Sequence, residues 1–113
     1  MMRSFIPLSA LALFFPLCGS LHAQPVTTGD AAAAQQSFRS RCGGCHLENG
    51  FGTRVLARRS ADGKAELEKR EDLTASFVRA AVRQGIGSMP AIRRTELSDV
   101  ELDAIARYLE KGR

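Results

Sequence analysis

Cys42-Gly43-Gly44-Cys45-His46-Leu47-Glu48-Asn49-Gly50 (CGGCHLENG) is the stretch on which the reading of this 113-residue chain turns. Two thiols stand three positions apart, and an imidazole follows the second directly. That spacing serves four chemistries: a metal site, a thiol redox pair, a short disulfide loop, or a covalent anchor for a prosthetic group. The rest of the chain decides among them.

The N-terminal residues narrow the inventory. Met1-Met2-Arg3 is a short positive start, Phe5 to Leu17 is an almost unbroken apolar run, and Leu21-His22-Ala23 puts a small residue before Gln24. This is the pattern of a secretory signal peptide, so residues 1–23 are expected to be removed and residues 24–113 to form one exported domain. The apolar run is shorter than the roughly 20 residues that a membrane span needs. An uncleaved anchor is the weaker reading. A lipid on Cys18 is weaker too, because Leu17 is larger than the small residue normally found before a lipidated cysteine. The domain of 90 residues keeps a formal charge of about +3 and four aromatic side chains: Phe38, Phe51, Phe77 and Tyr108. So thin a core in so small a domain calls for a staple: a disulfide, a metal or a large bound cofactor.

Within residues 24–113 the sulfur and imidazole side chains are Cys42, Cys45, His46 and Met89 alone. A structural zinc site wants four Cys or His ligands and finds three. A thioredoxin-like pair would need an alternating β/α chain, and no strand pattern is present. A disulfide across two residues leaves the adjacent histidine unexplained. C-x-x-C-H is the attachment sequence of c-type haem, and an exported protein is where that cofactor is mounted. Two thiols one helical turn apart match the separation of the porphyrin's two vinyl groups, and His46 then points at the iron from the proximal side. Gly43 and Gly44 let the turn lie close against the ring. The second imidazole nitrogen is expected to donate to a backbone carbonyl, with Gly50-Phe51-Gly52-Thr53 the loop that supplies it.

The sixth iron ligand is sought in Gly85 to Ile92, GIGSMPAI. A lone methionine is more often core filler. Here it stands in a glycine-marked loop, and Pro90 biases Met89 towards extended backbone, fit to pass across a haem face. His–Met ligation is the arrangement of electron-transfer cytochromes and raises the reduction potential. Lys64, Lys69 and Lys111 are weaker candidates.

Around these segments the chain reads as helix. Asp30 to Arg41 has high helix propensity and leads straight into Cys42. Leu73 to Gly85 puts Phe77, Val78, Ala81 and Val82 at helical spacing, with Gly85 as a stop. Ser98-x-x-Glu101 is a capping box, opening a helix that carries Val100, Leu102, Ile105, Ala106, Tyr108 and Leu109. The expected fold is all-α.

In this order of parts the chain resembles class I c-type cytochromes over nearly the whole of residues 24–113. The resemblance rests on a helix, Cys42-Gly43-Gly44-Cys45-His46, a loop, a helix, Met89-Pro90 and a final helix. It implies the cytochrome c fold, three main helices wrapped around one haem c attached through Cys42 and Cys45, with His46 and Met89 on the iron. It also implies that the first and last helices cross, through Ala34 and Phe38 on one and Ile105 and Tyr108 on the other. Two departures are Ala34, where glycine is frequent, and Thr53, where proline is common. More narrowly, Phe77-Val78-Arg79 through Val82-Arg83-Gln84-Gly85 to Met89-Pro90-Ala91 resembles small cytochromes that serve periplasmic dehydrogenases, such as the cytochrome subunit of p-cresol methylhydroxylase. That implies a periplasmic electron carrier, with a dehydrogenase as donor and another cytochrome or a terminal oxidase as acceptor.

The segment from Val55 to Glu71 is longer than such a fold requires. It reads either as a solvated helix and turn broken at Asp62-Gly63, or as a docking insertion beside the haem edge. Arginines outnumber acids in the haem-binding segments, from Arg39 and Arg41 to Arg93 and Arg94. Such asymmetry steers acidic redox partners, and one or two of these arginines are also candidates to pair with haem propionates. Nucleic-acid binding is excluded in an exported chain with no basic run interleaved with aromatics, and no membrane span remains after cleavage. Two functions compete: a carrier with no substrate of its own, and a peroxidase-like haem enzyme or ligand sensor with Met89 displaceable. The absence of a second histidine from residues 24–113 favours the carrier.

Overall fold

The computed structural model describes residues 28–60 and 63–110. The expected signal peptide over 1–23, Asp62 of the expected break, and Lys111 lie outside the described residues. The elements are α1 (Thr28–Arg41), α2 (Gly43–His46), α3 (Phe51–Ala57), a 3-10 turn (Leu67–Lys69), α4 (Ala75–Gln84) and α5 (Asp99–Leu109). Among the described residues there is no strand, only an isolated antiparallel bridge between Ile86 and Met89. The fold is the all-α one expected.

Local chemistry accounts for the helix ends. Asp30 stands in the first turn of α1 and Arg39 and Arg41 in the last, matching the helix dipole. Thr74 caps α4 by accepting from the Phe77 N–H at 3.2 Å. Gly85, at φ 75°, ends that helix in a conformation that side chains other than glycine's resist. Ser98 caps α5, accepting from the Glu101 N–H at 3.2 Å. The expected capping box is only half made, because the Glu101 carboxylate turns to the Arg41 Nε, 3.3 Å away on α1.

α1 packs on α5, and α5 on α4. Phe38, Ile105 and Leu109 are the largest fully buried side chains, with Ala34 and Ala106 buried beside them. Phe38 and Tyr108 set their rings 6.2 Å apart at 44°, within the favourable range for a tilted aromatic pair. The α1–α5 crossing thus uses the residues expected of it. Val100 departs from the expected apolar stripe and stands 82 % exposed.

The stretch from Val55 to Glu71 begins as helix, since Val55 to Ala57 complete α3, whose first residues Phe51 to Thr53 fall in the expected loop. Its end folds back on the core through Glu68, whose carboxylate accepts from the Tyr108 hydroxyl at 2.6 Å, Arg39 Nη2 at 3.0 Å and Gln35 Nε2 at 3.5 Å. Glu68 is mostly buried, so this charge faces the α1–α5 junction rather than water.

Candidate functional site

α1 delivers the chain to Cys42, and α2 makes a single turn directly after it. The Cys42 carbonyl accepts from the N–H groups of Cys45 (3.1 Å) and His46 (3.0 Å), which winds the motif tightly around itself. Cys42, Cys45 and His46 all line one cavity of about 380 Å³, and both thiols are free. Burial pushes the Cys42 thiol pKa up, against a smaller pull down from Arg41.

α3 forms the backing of the histidine. A Cβ on Gly52 would lie 3.0 Å from His46 Cε1 and 3.1 Å from Nδ1, and one on Gly50 would lie 2.4 Å from the Cys45 carbonyl oxygen. Glycine is therefore needed at both positions for α3 to approach. Thr53, at the place where proline is common, is buried and donates its hydroxyl to the Leu47 carbonyl at 2.8 Å. The expected bond from His46 to a loop carbonyl is not formed: Nδ1 is buried without a partner. The Leu47 carbonyl is taken by the Thr53 hydroxyl and the Gly50 N–H, and the Cys45 carbonyl receives the same hydroxyl at 3.4 Å. Burial pushes the imidazole pKa down, which favours the neutral, ligating form. With Nδ1 packed against Gly52, Nε2 is the nitrogen left for a ligand.

Met89 reaches the same cavity from the loop after α4. Ile86 and Met89 exchange backbone hydrogen bonds of 3.0 and 2.9 Å across Gly87-Ser88, with Gly87 at φ 57°. A Cβ on Gly85 would come 2.8 Å from the Met89 carbonyl oxygen, so glycine is required for this hairpin to close. The Ile92 N–H then returns to the Val82 carbonyl of α4 at 2.8 Å.

The remaining lining is largely apolar. It includes Val55 and Leu56 from α3, Val78 and Val82 from α4, and Ile105 and Leu109 from α5. Phe51, Phe77 and Ile86 line the cavity while staying about half exposed, and so mark its mouth. Among the described residues, Arg70 is the one permanently charged side chain in the lining. Its Nε and Nη2 fork onto Asp72, with Nε to Oδ1 at 2.9 Å, which leaves the other guanidinium donors for a second anion. Sequence reasoning missed Arg70. The available signal was its place between Leu67 and Leu73, two apolar residues that line the same cavity.

These residues fit a haem. The apolar walls suit the macrocycle, the two thiols suit its vinyl groups, an imidazole and a thioether suit its iron, and a guanidinium suits its carboxylates. A metal ion alone is not served: among the described residues no group of three or more His, Cys, Asp or Glu is placed to hold one.

Around the cavity, several arginines singled out from sequence are engaged. Arg94 pairs with Asp99 at 2.7 Å, and Arg79 with Asp103. Arg93 is exposed, and its backbone N–H bonds Glu96 at 3.0 Å.

The family model described as "Cytochrome C oxidase, cbb3-type, subunit III" matches residues 29–109, from the start of α1 to the end of α5. A relative, cytochrome c6 of Gloeothece citriformis (strain PCC 7424), is 30% identical over 105 residues, which is 92% of each chain. No solved structure matches. No helix among the described residues is long and apolar enough to cross a membrane.

Proposed function

Because this chain belongs to the c-type cytochrome family described as cytochrome c oxidase, cbb3-type, subunit III, and is a small class I cytochrome, we propose that it carries single electrons between periplasmic redox proteins, with His46 and Met89 as iron ligands. Its cofactor is one haem c, covalently attached through Cys42 and Cys45. The bound haem supplies reversible one-electron chemistry at iron. The chain's own residues do the rest.

His46 offers Nε2 as a neutral imidazole, held in one orientation by the Gly50–Thr53 end of α3. Met89 offers a thioether from a loop closed on α4. Arg70 stands ready for the propionates, in a cavity where an unpaired carboxylate would be costly. Phe51, Phe77 and Ile86 leave an apolar opening at which a partner protein can approach the cofactor. The observation that carries this reading is the convergence of Cys42, Cys45, His46 and Met89 on one apolar cavity.

A peroxidase-like enzyme or ligand sensor would need an acid–base side chain beside an open sixth position. Among the described residues, Arg70 and Ser88 are the only polar side chains of the lining outside the Cys42–His46 motif. In this reading the leader at residues 1–23 exports the chain to the periplasm. The stretch Phe77 to Ala91, which resembles small cytochromes serving periplasmic dehydrogenases, supports a dehydrogenase as donor and another cytochrome or a terminal oxidase as acceptor.

Carbon monoxide tests carrier against enzyme. The ferrous protein should bind none over minutes at neutral pH, and a redox titration should follow a one-electron curve. Rapid carbon monoxide binding, or turnover of hydrogen peroxide, would favour the enzyme. Co-purification of the haem protein from its native periplasm should bring a dehydrogenase with it.

A further inference from the structure

Arg83, in the last turn of α4, has no part in the proposal above. Its side chain is only 18 % exposed. Nη1 donates to the Ile92 carbonyl at 2.9 Å, and Nη2 donates to the Leu97 carbonyl and to Asp99 Oδ1, both at 2.8 Å. Nε is buried and has no partner.

The partners of Arg83 are informative. Ile92 is three residues past Met89, and Leu97 is two residues before α5 begins. One side chain therefore spans α4, the exit of the methionine loop and the start of α5. The entrance of the loop is closed by its own backbone, through the Ile86–Met89 pair. The exit has a single backbone bond to α4, from Ile92 to Val82. Beyond that bond, its polar attachment to α4 is the Arg83 fork, while Ile92 and Leu97 add apolar packing against the core. Two charge-assisted bonds to otherwise uncommitted loop carbonyls are strong contacts, and the unpartnered Nε is a desolvation penalty that they must outweigh.

We propose that Arg83 is a positioning residue that clamps the exit of the Met89 loop and so sets how readily the thioether leaves the iron. The proposal rests on Met89 being an iron ligand. Arg79 supplies an internal contrast. It also joins α4 to α5, through Asp103, and has no hydrogen bond to a loop carbonyl.

The experiment uses the haem-loaded ferric protein, mixed with cyanide in a stopped-flow instrument, alongside guanidinium unfolding midpoints. Arg83→Gln should speed cyanide binding by about tenfold or more, the size expected from losing two charge-assisted bonds. Arg79→Gln should lower the unfolding midpoint while leaving the cyanide rate within about twofold of wild type, since it loses only a half-exposed ion pair. Arg83→Lys, whose point charge cannot serve both carbonyls, should fall between. It also provides the reading if Arg83→Gln does not mature. An unchanged cyanide rate in both Arg83 variants, or an equal rise in Arg79→Gln, would overturn the clamp. If the wild-type ferric protein lacks the weak long-wavelength sulfur-to-iron band, the ligand assignment fails and takes the clamp with it. If the band is present and the rate is unmoved, the clamp alone fails.

Discussion

His46 and Met89 reach one cavity by different routes. His46 arrives on a one-turn helix, next to a thiol that anchors the same cofactor, with α3 pressed against its ring through Gly52. Nearly everything that orients it lies within Cys42 to Thr53. Met89 arrives on a hairpin whose entrance is local but whose exit is held by Arg83, which in turn is bound to Leu97 and Asp99. If His46 and Met89 are the iron ligands proposed, the one set by neighbouring residues is hard to dislodge without unfolding the domain. A ligand set by a loop and a few side-chain bonds can open alone, because loops sit at the low end of local stability. The His46 side is thus the fixed half of the site and the Met89 side the yielding half.

The harshest test falls on the fixed half. Cys42→Ala or Cys45→Ala should each remove one thioether and prevent normal maturation, and the double variant should carry no covalent haem. A haem stain on a denaturing gel after acid–acetone extraction reads this directly. Wild-type protein that lost all its haem on extraction would contradict attachment through these thiols.

On the yielding half, Met89→Ala should keep the haem attached and open the iron to carbon monoxide, cyanide or water. The mutant should lack the long-wavelength sulfur-to-iron band of the wild-type ferric protein. An unchanged spectrum would mean that another side chain, with Lys64 and Lys69 the candidates among the described residues, holds the sixth position.

Two junctions of the helices around these halves should also weaken at opposite ends of the pH scale. Tyr108, at the junction of α1, α5 and the 3-10 turn, has its pKa pushed up to about 12 by burial and by its bond to Glu68. A raised pKa in the folded state stabilises fully below the ordinary value of 10 and is lost as pH rises from 10 towards 12. After the methionine loop, Asp99 is held below the ordinary carboxylate value of 3.8 by Arg94 and then Arg83, and on the α4–α5 face Asp103 is held down by Arg79 and Arg107. Their contribution is present above about pH 4 and disappears as pH falls below it. Tyr108→Phe should cost about 1–2 kcal/mol at pH 7 and flatten the loss of stability between pH 10 and 12. Asp99→Asn should flatten only the acid limb, by a smaller amount, since the pair is exposed. Unfolding midpoints between pH 3 and 12 check both. An alkaline limb unaltered by Tyr108→Phe would remove the phenol from the account.

The smallest effect concerns docking. Arg93 and Arg94 follow the methionine loop, but Arg94 already shares Asp99. Arg93→Glu should therefore slow association with an acidic partner more than Arg94→Glu, and both effects should fade as salt shortens the screening length to about 10 Å at 0.1 M. Stopped-flow rates with the co-purified partner measure this. Rates that ignore salt and both substitutions would mean that the apolar mouth at Phe51, Phe77 and Ile86 docks alone.

What could be read from the residues alone was whatever depends on short spacings. Cys42, Cys45 and His46 declare a cofactor by their separation, and Met89-Pro90 declares an extended loop. The alanine-rich run of α1, the apolar period of α4 and the Ser98 cap of α5 declare helices, and the structure builds those helices where the patterns run. α3 was hidden, because Phe51-Gly52-Thr53 has a glycine, no capping side chain and too few turns to show a period. Its glycine is explained by the His46 ring and the Cys45 carbonyl oxygen, each 3.0 Å from where a Cβ would stand. The partners of Glu68, the turning of Glu101 to Arg41, the entry of Arg70 into the cavity wall and the reach of Arg83 across the Met89 loop were all decided by tertiary structure. Each joins or gathers residues that only folding brings together, up to 60 positions apart for Arg41 and Glu101. Local spacing reaches pairs such as Lys69–Glu66 and Arg107–Asp103, but carries no information about which distant basic and acidic side chains will meet. That choice is made by the α1–α5 crossing, which brings distant charges within bonding distance and leaves others in water.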